Sequence, residues 1–528
     1  MIAWYGGTMM NKKQKLRNAV ILGLLMSSVT ASSAWAKDLN VENIEKDNSD
    51  GTIYDEIAGI LGDMKFNGWP GGTDEYDNVI YDNTKVFDNI IVTVKNNYNY
   101  KTEGNNKAVG VTSRDDNFIL DGSNAVLKAE NNITVNVVTR NTENGYGVLA
   151  DDDGKKIDII SSSGTIQVST LKTNGQKYDV LFAPNPGEID YSTANVYGIS
   201  AYNNGTVNFN AGTDIIVTAG YDKDAAEKYT SLKQGDIYGI SNTGGTVYLK
   251  AGNVISIAAN SANGDAYGII ANSDNLTTLN SKYNQINAVA DGTGTAIGIK
   301  AENGSNVDIT GDTYVHGDDG ALVIQGNNGR NDSEQVIVKG NLFASADTGT
   351  VKKLTDGASE HITGNLISAS GDEDNASSNI SLTDGSSLTV DGYAVIQGGY
   401  KGLDIINGSN VILGKDGVSN YIYAGDKLFV ENGEVNKVAA RAVEIENGGS
   451  LTLTGAMNRV AAGDITVVAD DRILANENID LVYGSGYSYN IKGDVGSEVK
   501  ITGDNNIALG AIRVDSATDN STGGQALP

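Results

Sequence analysis

Histidine is the side chain that most often does acid–base or metal chemistry near neutral pH, and this sequence contains only two, His316 and His361. His316 follows Val315, which shares the parity of Ile309 in an alternating pattern and is predicted to face inward, so we expect His316 to face solvent. His361 stands beside Ile362 in the same arrangement. Two surface histidines are too few for a histidine-based metal site, so we predict no metal ligands and no catalytic residues.

Clustered carboxylates could also do chemistry, because hard cations such as Ca²⁺ bind carboxylate oxygens. Acidic runs occur at 151–153 and 372–374, but neither has the spacing of an EF-hand loop. The run 398–404 misses the Gly-Gly-x-Gly-x-Asp calcium repeat by one residue and occurs once. The sequence also lacks a nucleophile elbow and a phosphate-binding loop. We therefore predict solvated turns and no cofactor, with calcium at the acidic turns as the alternative.

Four tyrosines recur in one local pattern, in which the aromatic residue is followed by glycine and an aliphatic residue: Tyr146, Tyr197, Tyr238 and Tyr267. At equivalent positions of stacked repeats their rings would form an aromatic column. Such a column binds sugar faces if it is exposed and packs the core if it points inward. Ile297 replaces the aromatic residue in the next copy, and this substitution favours the packing interpretation.

The elements that must position these side chains are short strands joined by tight turns. Three strands are predicted around 237–240, 246–251 and 254–259, where apolar and polar residues alternate. Val247, Leu249 and Ala251 share one parity, which predicts one buried side. A unit with one apolar side has too little area to bury it alone, so it becomes stable only by stacking on further copies.

Copies of the unit are present, although their intervals are irregular. Related stretches begin near residues 145, 195, 266 and 296. Asn-Gly or Asp-Gly pairs close strand after strand, as at 303–304, and these residues tolerate the positive φ that a sharp corner requires. The pattern predicts an all-β solenoid of stacked strands that tolerates insertions between them.

Composition excludes several function classes. The chain has 528 residues and a formal net charge of −28, and so acidic a surface repels nucleic acid and anionic membranes, which are not expected partners. The sequence contains no cysteine, which excludes a disulfide framework and suits a chain that crosses membranes unfolded. It has 65 glycines and only 4 prolines, as expected for many strands and turns.

The N-terminal residues predict a secretory signal peptide. Basic residues precede an apolar run at 19–26, and Ala34 and Ala36 form a small-x-small cleavage motif before Lys37. The apolar run is shorter than the roughly 20 residues that a membrane-spanning helix needs, so no membrane span is expected after cleavage. We predict residues 1–36 as the signal peptide, with residues 1–8 untranslated if synthesis starts at Met9.

The rest of the chain divides into three predicted parts. Residues 37–107 are interpreted as an N-terminal cap with the first strands, since the exposed apolar end of a stack needs a cover. Residues 108–516 contain the repeats. Residues 517–528 are polar and are predicted to be a disordered tail.

Several features together resemble the passenger region of a Gram-negative autotransporter, the substrate of type V secretion. They are the signal peptide, the absence of cysteine, the acidic composition and degenerate Asn-Gly-Ser-x-Val turns such as 303–307 and 407–411. The resemblance covers roughly residues 108–515 and implies a right-handed parallel β-helix. It also implies a cell-surface, outer-membrane or extracellular location and a role in virulence. An outer-membrane β-barrel is expected as a partner, although this sequence contains no barrel pattern.

Three functions are compatible with these expectations. We favour a non-enzymatic protein that mediates adhesion or aggregation by binding ligands on host cells, matrix or bacteria, glycans among them. The alternative is a β-helical polysaccharide lyase or hydrolase, which requires acidic residues from neighbouring coils on one face with a lysine or arginine among them; the linear sequence does not assemble such a group. A purely structural surface spacer is the third.

Overall fold

The computed structural model describes residues 124–468 except 141–143, 152–154, 174–194, 222–234, 263, 274, 328–334, 371–377, 400, 416, 432–433 and 439, and outside that span only strands and residue 497. Within these residues the fold is all-β and contains no helix, so none that would cross a membrane. The predicted cleavage residues Ala34, Ala36 and Lys37 and the predicted tail 517–528 lie outside the described residues.

The chain winds through three faces in turn. Gly145–Asp151 lies on face 1, Lys156–Ser161 on face 2 and Ile166–Thr173 on face 3, after which Val196–Tyr202 returns to face 1. Each strand pairs in parallel with the equivalent strand of the next coil, as Tyr146 pairs with Tyr197. The predicted parallel β-helix is thus confirmed.

Face 1 is one sheet of 14 strands: Glu56–Ile60, Lys107–Thr112, Gly145–Asp151, Val196–Tyr202, Ile237–Thr243, Ala266–Asn272, Ala296–Glu302, Gly320–Gln325, Lys352–Thr355, Ser378–Leu382, Lys401–Ile406, Arg441–Glu446, Tyr489–Gly493 and Ala511–Val514. Face 2 contains Lys65–Phe66, Asn124–Ala129, Lys156–Ser161, Thr206–Ala211, Thr246–Ala251, Val336–Lys339, Ser359–Ile362, Ser387–Val390, Asn410–Leu413, Ser450–Leu453 and Glu498–Ile501. Face 3 contains Asp38–Glu42, Asn89–Lys95, Ile133–Arg140, Ile166–Thr173, Ile215–Tyr221, Val254–Ser261, Leu342–Ala346, Leu366–Ser370, Ala394–Gly398, Asn420–Glu431, Met457–Val468 and Asn505–Leu509.

Two long strands, Leu276–Ala290 and Asn306–Gly317, continue from face 2 onto face 3. With Glu434–Val438 and its parallel partner Leu481–Tyr483, the two faces form one sheet of 27 strands. Two local antiparallel pairs depart from the parallel rule. Pro70–Thr73 pairs with Val79–Tyr81, and Glu434–Val438 pairs back onto the end of Asn420–Glu431. Both are local hairpin pairings beside the parallel ladders.

The core fills the space enclosed by the three faces. On Thr206–Ala211 the side chains alternate, and Val207 and Phe209 are fully buried. Ile215 and Val217 on face 3 and Ile199 on face 1 belong to the same hydrophobic cluster. Each such side chain contributes roughly 1.5–3 kcal/mol by leaving water. Because every coil leaves an apolar edge that the next coil covers, stacking is the source of stability.

Predicted Asn-Gly corners join face 1 to face 2. Asn303 and Gly304 have φ of 54° and 78°, and Asn407 and Gly408 have φ of 54° and 73°. Asparagine and glycine tolerate this left-handed backbone better than other residues, which explains why these pairs recur. At one corner the amide of Gly408 donates to the carbonyl of Asn447 in the next coil at 3.1 Å. The corners therefore stack in register like the strands.

Candidate functional site

The four recurring tyrosines form one column along face 1. The rings of Tyr146 and Tyr197 stack with centroids 4.6 Å apart and planes 3° from parallel. Tyr197 and Tyr238 follow at 4.8 Å and 7°, and Tyr238 and Tyr267 at 5.4 Å and 12°. The strand register places them at equivalent positions, as the repeated sequence predicts.

The column lies outside the main hydrophobic core. Tyr146 forms a separate small cluster with Leu149 and Tyr197, and the Lys300 ammonium lies 5.6 Å from the centre of the Tyr267 ring. The rings therefore pack against one another, as the favoured interpretation predicts, and Tyr146 and Tyr267 are only 8% and 9% exposed, although the column lies on the side of face 1 away from the main core. Each tyrosine is followed by a glycine whose Cα faces the core, and this places the tyrosine side chain on the opposite, outer side of the strand.

Gly239 shows this requirement. A Cβ at this position would lie 2.5 Å from Ile257 Cγ2 and 2.5 Å from the carbonyl oxygen of Gly268 in the next coil. No side chain fits there, so glycine allows face 1 to approach face 3 closely. The tyrosine before it is left on the outer side.

A second column, of asparagine and aspartate side chains, holds the tyrosines. The hydroxyl of Tyr238 donates to Asp236 Oδ2 at 3.1 Å, and Asp236 Oδ1 accepts from the amide of Asp265 in the next coil at 3.1 Å. The equivalent contacts are Asn144 Nδ2 to Tyr146 Oη (3.2 Å), Asn195 Nδ2 to Tyr197 Oη (3.1 Å), Tyr267 Oη to Asp265 Oδ2 (3.1 Å), Asn195 N to Asn144 Oδ1 (2.8 Å), Asp236 N to Asn195 Oδ1 (2.9 Å) and Thr295 N to Asp265 Oδ1 (2.8 Å).

The stacking limits what the column can bind. A ring that stacks on both sides, such as Tyr197 or Tyr238, has no free face for a sugar. Burial raises the pKa of Tyr238, and the neighbouring charge of Asp236 raises it further, so the hydroxyl remains a neutral donor. The column serves packing and hydrogen bonding between coils.

A charged cluster lies on the outer side of face 1 in two later coils. Lys401 Nζ is 2.8 Å from Glu444 Oε2 and 3.2 Å from Asp404 Oδ2. Arg441 Nη1 is 2.6 Å from Glu444 Oε1 and 2.8 Å from Oε2. Asp404 lies opposite Glu444, and Lys401 lies opposite Arg441. Acidic residues of neighbouring coils thus share a face with a lysine and an arginine, the group that the lyase hypothesis requires.

The charged side chains of this cluster form ion pairs with one another. The side chain of Glu444 is 1% exposed, and its carboxylate forms ion pairs with both Lys401 and Arg441. Burial lowers the pKa of Lys401, but the hydrogen bond and charge of Glu444, together with Asp404, raise it more, so its pKa lies above the usual value. Lys401 therefore stays protonated at neutral pH, as an ion-pair partner rather than a base.

Sequence reasoning missed this cluster, although a signal is present. Lys401 and Asp404 are three residues apart, and so are Arg441 and Glu444. Both pairs lie in strands that are followed by Asn-Gly corners in the same way. The repetition of this basic–acidic pair in successive copies is the signal, but residues three apart in a regular strand point to opposite sides of the sheet, so the spacing alone does not predict an ion pair. The pairing becomes visible only when the two strands are known to be neighbours.

The two histidines lie on the outer side of the wall, because Val315 and Ile362 beside them are fully buried. His361 is half-buried, with Nε2 2.9 Å from Asp391 Oδ2. His316 was expected to face solvent, but only 9% of its surface is exposed, so that prediction was wrong. Asp318, which follows its own strand, and Asp347, which follows the equivalent strand of the next coil, lie close to its ring.

The predicted acidic calcium sites fall mainly on residues that the structure does not describe. Asp151 ends a strand of face 1, and 152–153 and 372–374 lie outside the described residues. In the described part of the chain, one other group combines three side chains able to bind a metal: His316, Asp318 and Asp347. It contains a histidine that the sequence reasoning assigned no role.

Comparisons with protein-family models, with curated proteins and with solved structures found no match. The function has to be inferred from the fold and from the geometry of the described side chains.

Proposed function

We propose that this chain is an exported surface protein of the autotransporter-passenger type, which binds host-cell, matrix or bacterial surfaces without catalysis. The observation that carries the proposal is the unbroken parallel stacking of face 1, from Glu56–Ile60 to Ala511–Val514. A stack of this kind presents outward side chains of many coils along one direction, which suits display and multivalent contact.

The outer side chains support binding over turnover. The charges of the Lys401–Glu444 cluster neutralise one another, and the tyrosine rings cover one another. In the residues that the structure describes, neither group combines a free base with an open cationic surface, which elimination from an acidic sugar requires. The net charge of −28 favours cationic partner surfaces and keeps the strand edges soluble.

The proposal is tested by coating beads with the full chain after signal-peptide removal. We expect the beads to retain epithelial cells, matrix proteins or bacteria better than albumin-coated beads do, and soluble protein to compete for the retention. The same preparation, incubated with polygalacturonate and other acidic glycans, is expected to release neither unsaturated nor reducing ends.

The competing functions give different results. A folded protein that binds no cell, matrix protein or glycan fits the spacer function and contradicts the proposal. Release of unsaturated ends contradicts it in favour of a lyase.

The lyase is the second candidate because Asp404 and Glu444 of adjacent coils face outward together with Lys401 and Arg441. If turnover is found, Glu444→Gln and Lys401→Met are expected to abolish it, whereas His361→Asn on face 2 leaves it unchanged. Equal turnover in all variants would exclude this cluster as its source.

A further inference from the structure

His316, Asp318 and Asp347 meet where face 3 ends and the chain turns toward face 1. His316 is the second-last residue of Asn306–Gly317, and Asp318 follows that strand. In the next coil Leu342–Ala346 ends one residue before Asp347. Gly317 pairs with Ala346, so the two aspartates stand at equivalent positions of adjacent coils. Their carboxylates carry like charge, which a bound cation would neutralise.

The distance between His316 and Asp318 matches that of two ligands on one ion. One ligand atom from each of the three side chains lies within 4.8 Å of the others, and His316 Nε2 is 3.4 Å from Asp318 Oδ1. Two atoms bound at 2.0–2.2 Å to one tetrahedral ion lie about 3.3–3.6 Å apart. The other histidine provides the contrast, since His361 Nε2 is 2.9 Å from Asp391 Oδ2, an ordinary hydrogen-bond distance.

Neighbouring groups orient two of the three ligands. His316 Nδ1 lies 3.0 Å from Ser345 Oγ in the next coil. When Nδ1–H donates to that oxygen, the lone pair of Nε2 points to the aspartates, as is usual for a metal-bound histidine. Asp318 Oδ2 accepts from the amide of Ala290 at 2.8 Å, which leaves Oδ1 toward the histidine. His316 is nine-tenths buried, so its ring is held in place.

We propose that His316, Asp318 and Asp347 bind one divalent metal ion of the zinc class. One imidazole nitrogen and two carboxylate oxygens without a thiolate form a ligand set that Zn²⁺ accepts, and three protein ligands leave a fourth position for water or a ligand group. Because the aspartates come from different coils, the ion joins the corners of both. The site does not depend on the surface-binding function proposed above.

The test is a Zn²⁺ titration of the full folded chain against a chromophoric chelator at pH 7.5, with circular dichroism as the folding check. We expect saturable binding of one Zn²⁺ per chain. His316→Asn and Asp347→Asn are expected to weaken it at least tenfold. His361→Asn removes the other histidine and is the matched control, for which we expect an affinity within twofold of the wild type.

A second measurement applies even if a variant fails to fold. The chain has only two histidines, so two imidazole spin systems occur in a long-range ¹⁵N spectrum, and the His361→Asn spectrum assigns them. We expect Zn²⁺ to shift the His316 ring nitrogens and leave those of His361 in place. The proposal is overturned if Zn²⁺ does not bind, if binding survives His316→Asn unchanged, or if only the His361 signals move.

Discussion

Lys352 and Glu360 form an ion pair inside the β-helix, with Nζ 2.7 Å from Oε1 and 2.6 Å from Oε2 and both side chains wholly buried. Lys352 on face 1 pairs in register with Leu322 and Ile380, so apolar residues lie above and below it. Glu360 on face 2 stands in an equally apolar column. Burial lowers the pKa of Lys352, and the charge and hydrogen bond of Glu360 offset only part of this effect.

Removing one partner of this pair is expected to destabilise the fold strongly. Lys352→Met leaves Glu360 as an uncompensated buried charge, a change that costs about 3–5 kcal/mol. The double variant Lys352→Met/Glu360→Leu removes both charges and is expected to be about as stable as the wild type. Urea unfolding followed by circular dichroism measures both. Lys353→Met, at the exposed neighbouring position, is the control and should change the midpoint little. A double variant as unstable as the single one would contradict this account.

The glycine after each tyrosine is expected to tolerate no side chain. In Gly239→Ala the added Cβ meets Ile257 and the backbone of Gly268, both at 2.5 Å, so face 1 must move outward. Such overpacking costs about 1–3 kcal/mol. Ser241→Ala, on the same strand but half-buried, is the control. Thermal unfolding compares the two variants, and equal melting temperatures would show that the close approach of faces 1 and 3 is not required.

Lys172 is expected to make stability depend on pH above neutrality. Its ammonium lies 5.7 Å from the Tyr221 ring centre, and burial lowers its pKa from 10.5 to about 7. Between these values the unfolded chain binds more protons than the folded one, so the free energy of unfolding rises with pH, by at most about 1.4 kcal/mol per unit. Lys172→Met should lack this rise, and Lys250→Met should keep it. A parallel pH profile for wild type and Lys172→Met would contradict the assignment.

The tyrosine column is expected to act in the opposite direction at high pH. Burial and the charge of Asp236 raise the pKa of Tyr238 above its ordinary value of 10.0. The stability that this neutral phenol contributes is complete below pH 10 and is lost as the pH rises further, because the unfolded tyrosine ionises first. Tyr238→Phe should therefore show a shallower fall of the urea midpoint above pH 10. Asp236→Asn should give an intermediate slope, and an unchanged slope in both would refute the effect.

Local properties account for what the sequence predicts correctly. Alternation at Val247 and Leu249 reflects which side of one strand is buried, and Asn303 with Gly304 reflects the backbone of one corner. Both depend on neighbours in the chain, so they can be read from it. The inward glycine beside Tyr238 is different, since its need arises from contact with another face.

Contacts between coils could not be predicted where no repeated local motif, such as the tyrosine–glycine pair, marks equivalent residues, because the spacing of those residues varies. Asn365 bonds to Asn341 across 24 positions, whereas Asn195 bonds to Asn144 across 51. With such variation the partner of a given side chain has no fixed offset in sequence. For this reason the Lys401–Glu444 cluster and the group around His316 were missed.

The amino-acid sequence by itself determined that this chain forms short amphipathic strands with left-handed corners, because strand alternation and corner geometry are set by adjacent residues. Only the tertiary structure decided that the tyrosines lie outside, that Lys352 and Glu360 meet inside, and that His316 meets two aspartates. Each of these depends on which coil lies next to which, and that register follows from packing the whole stack.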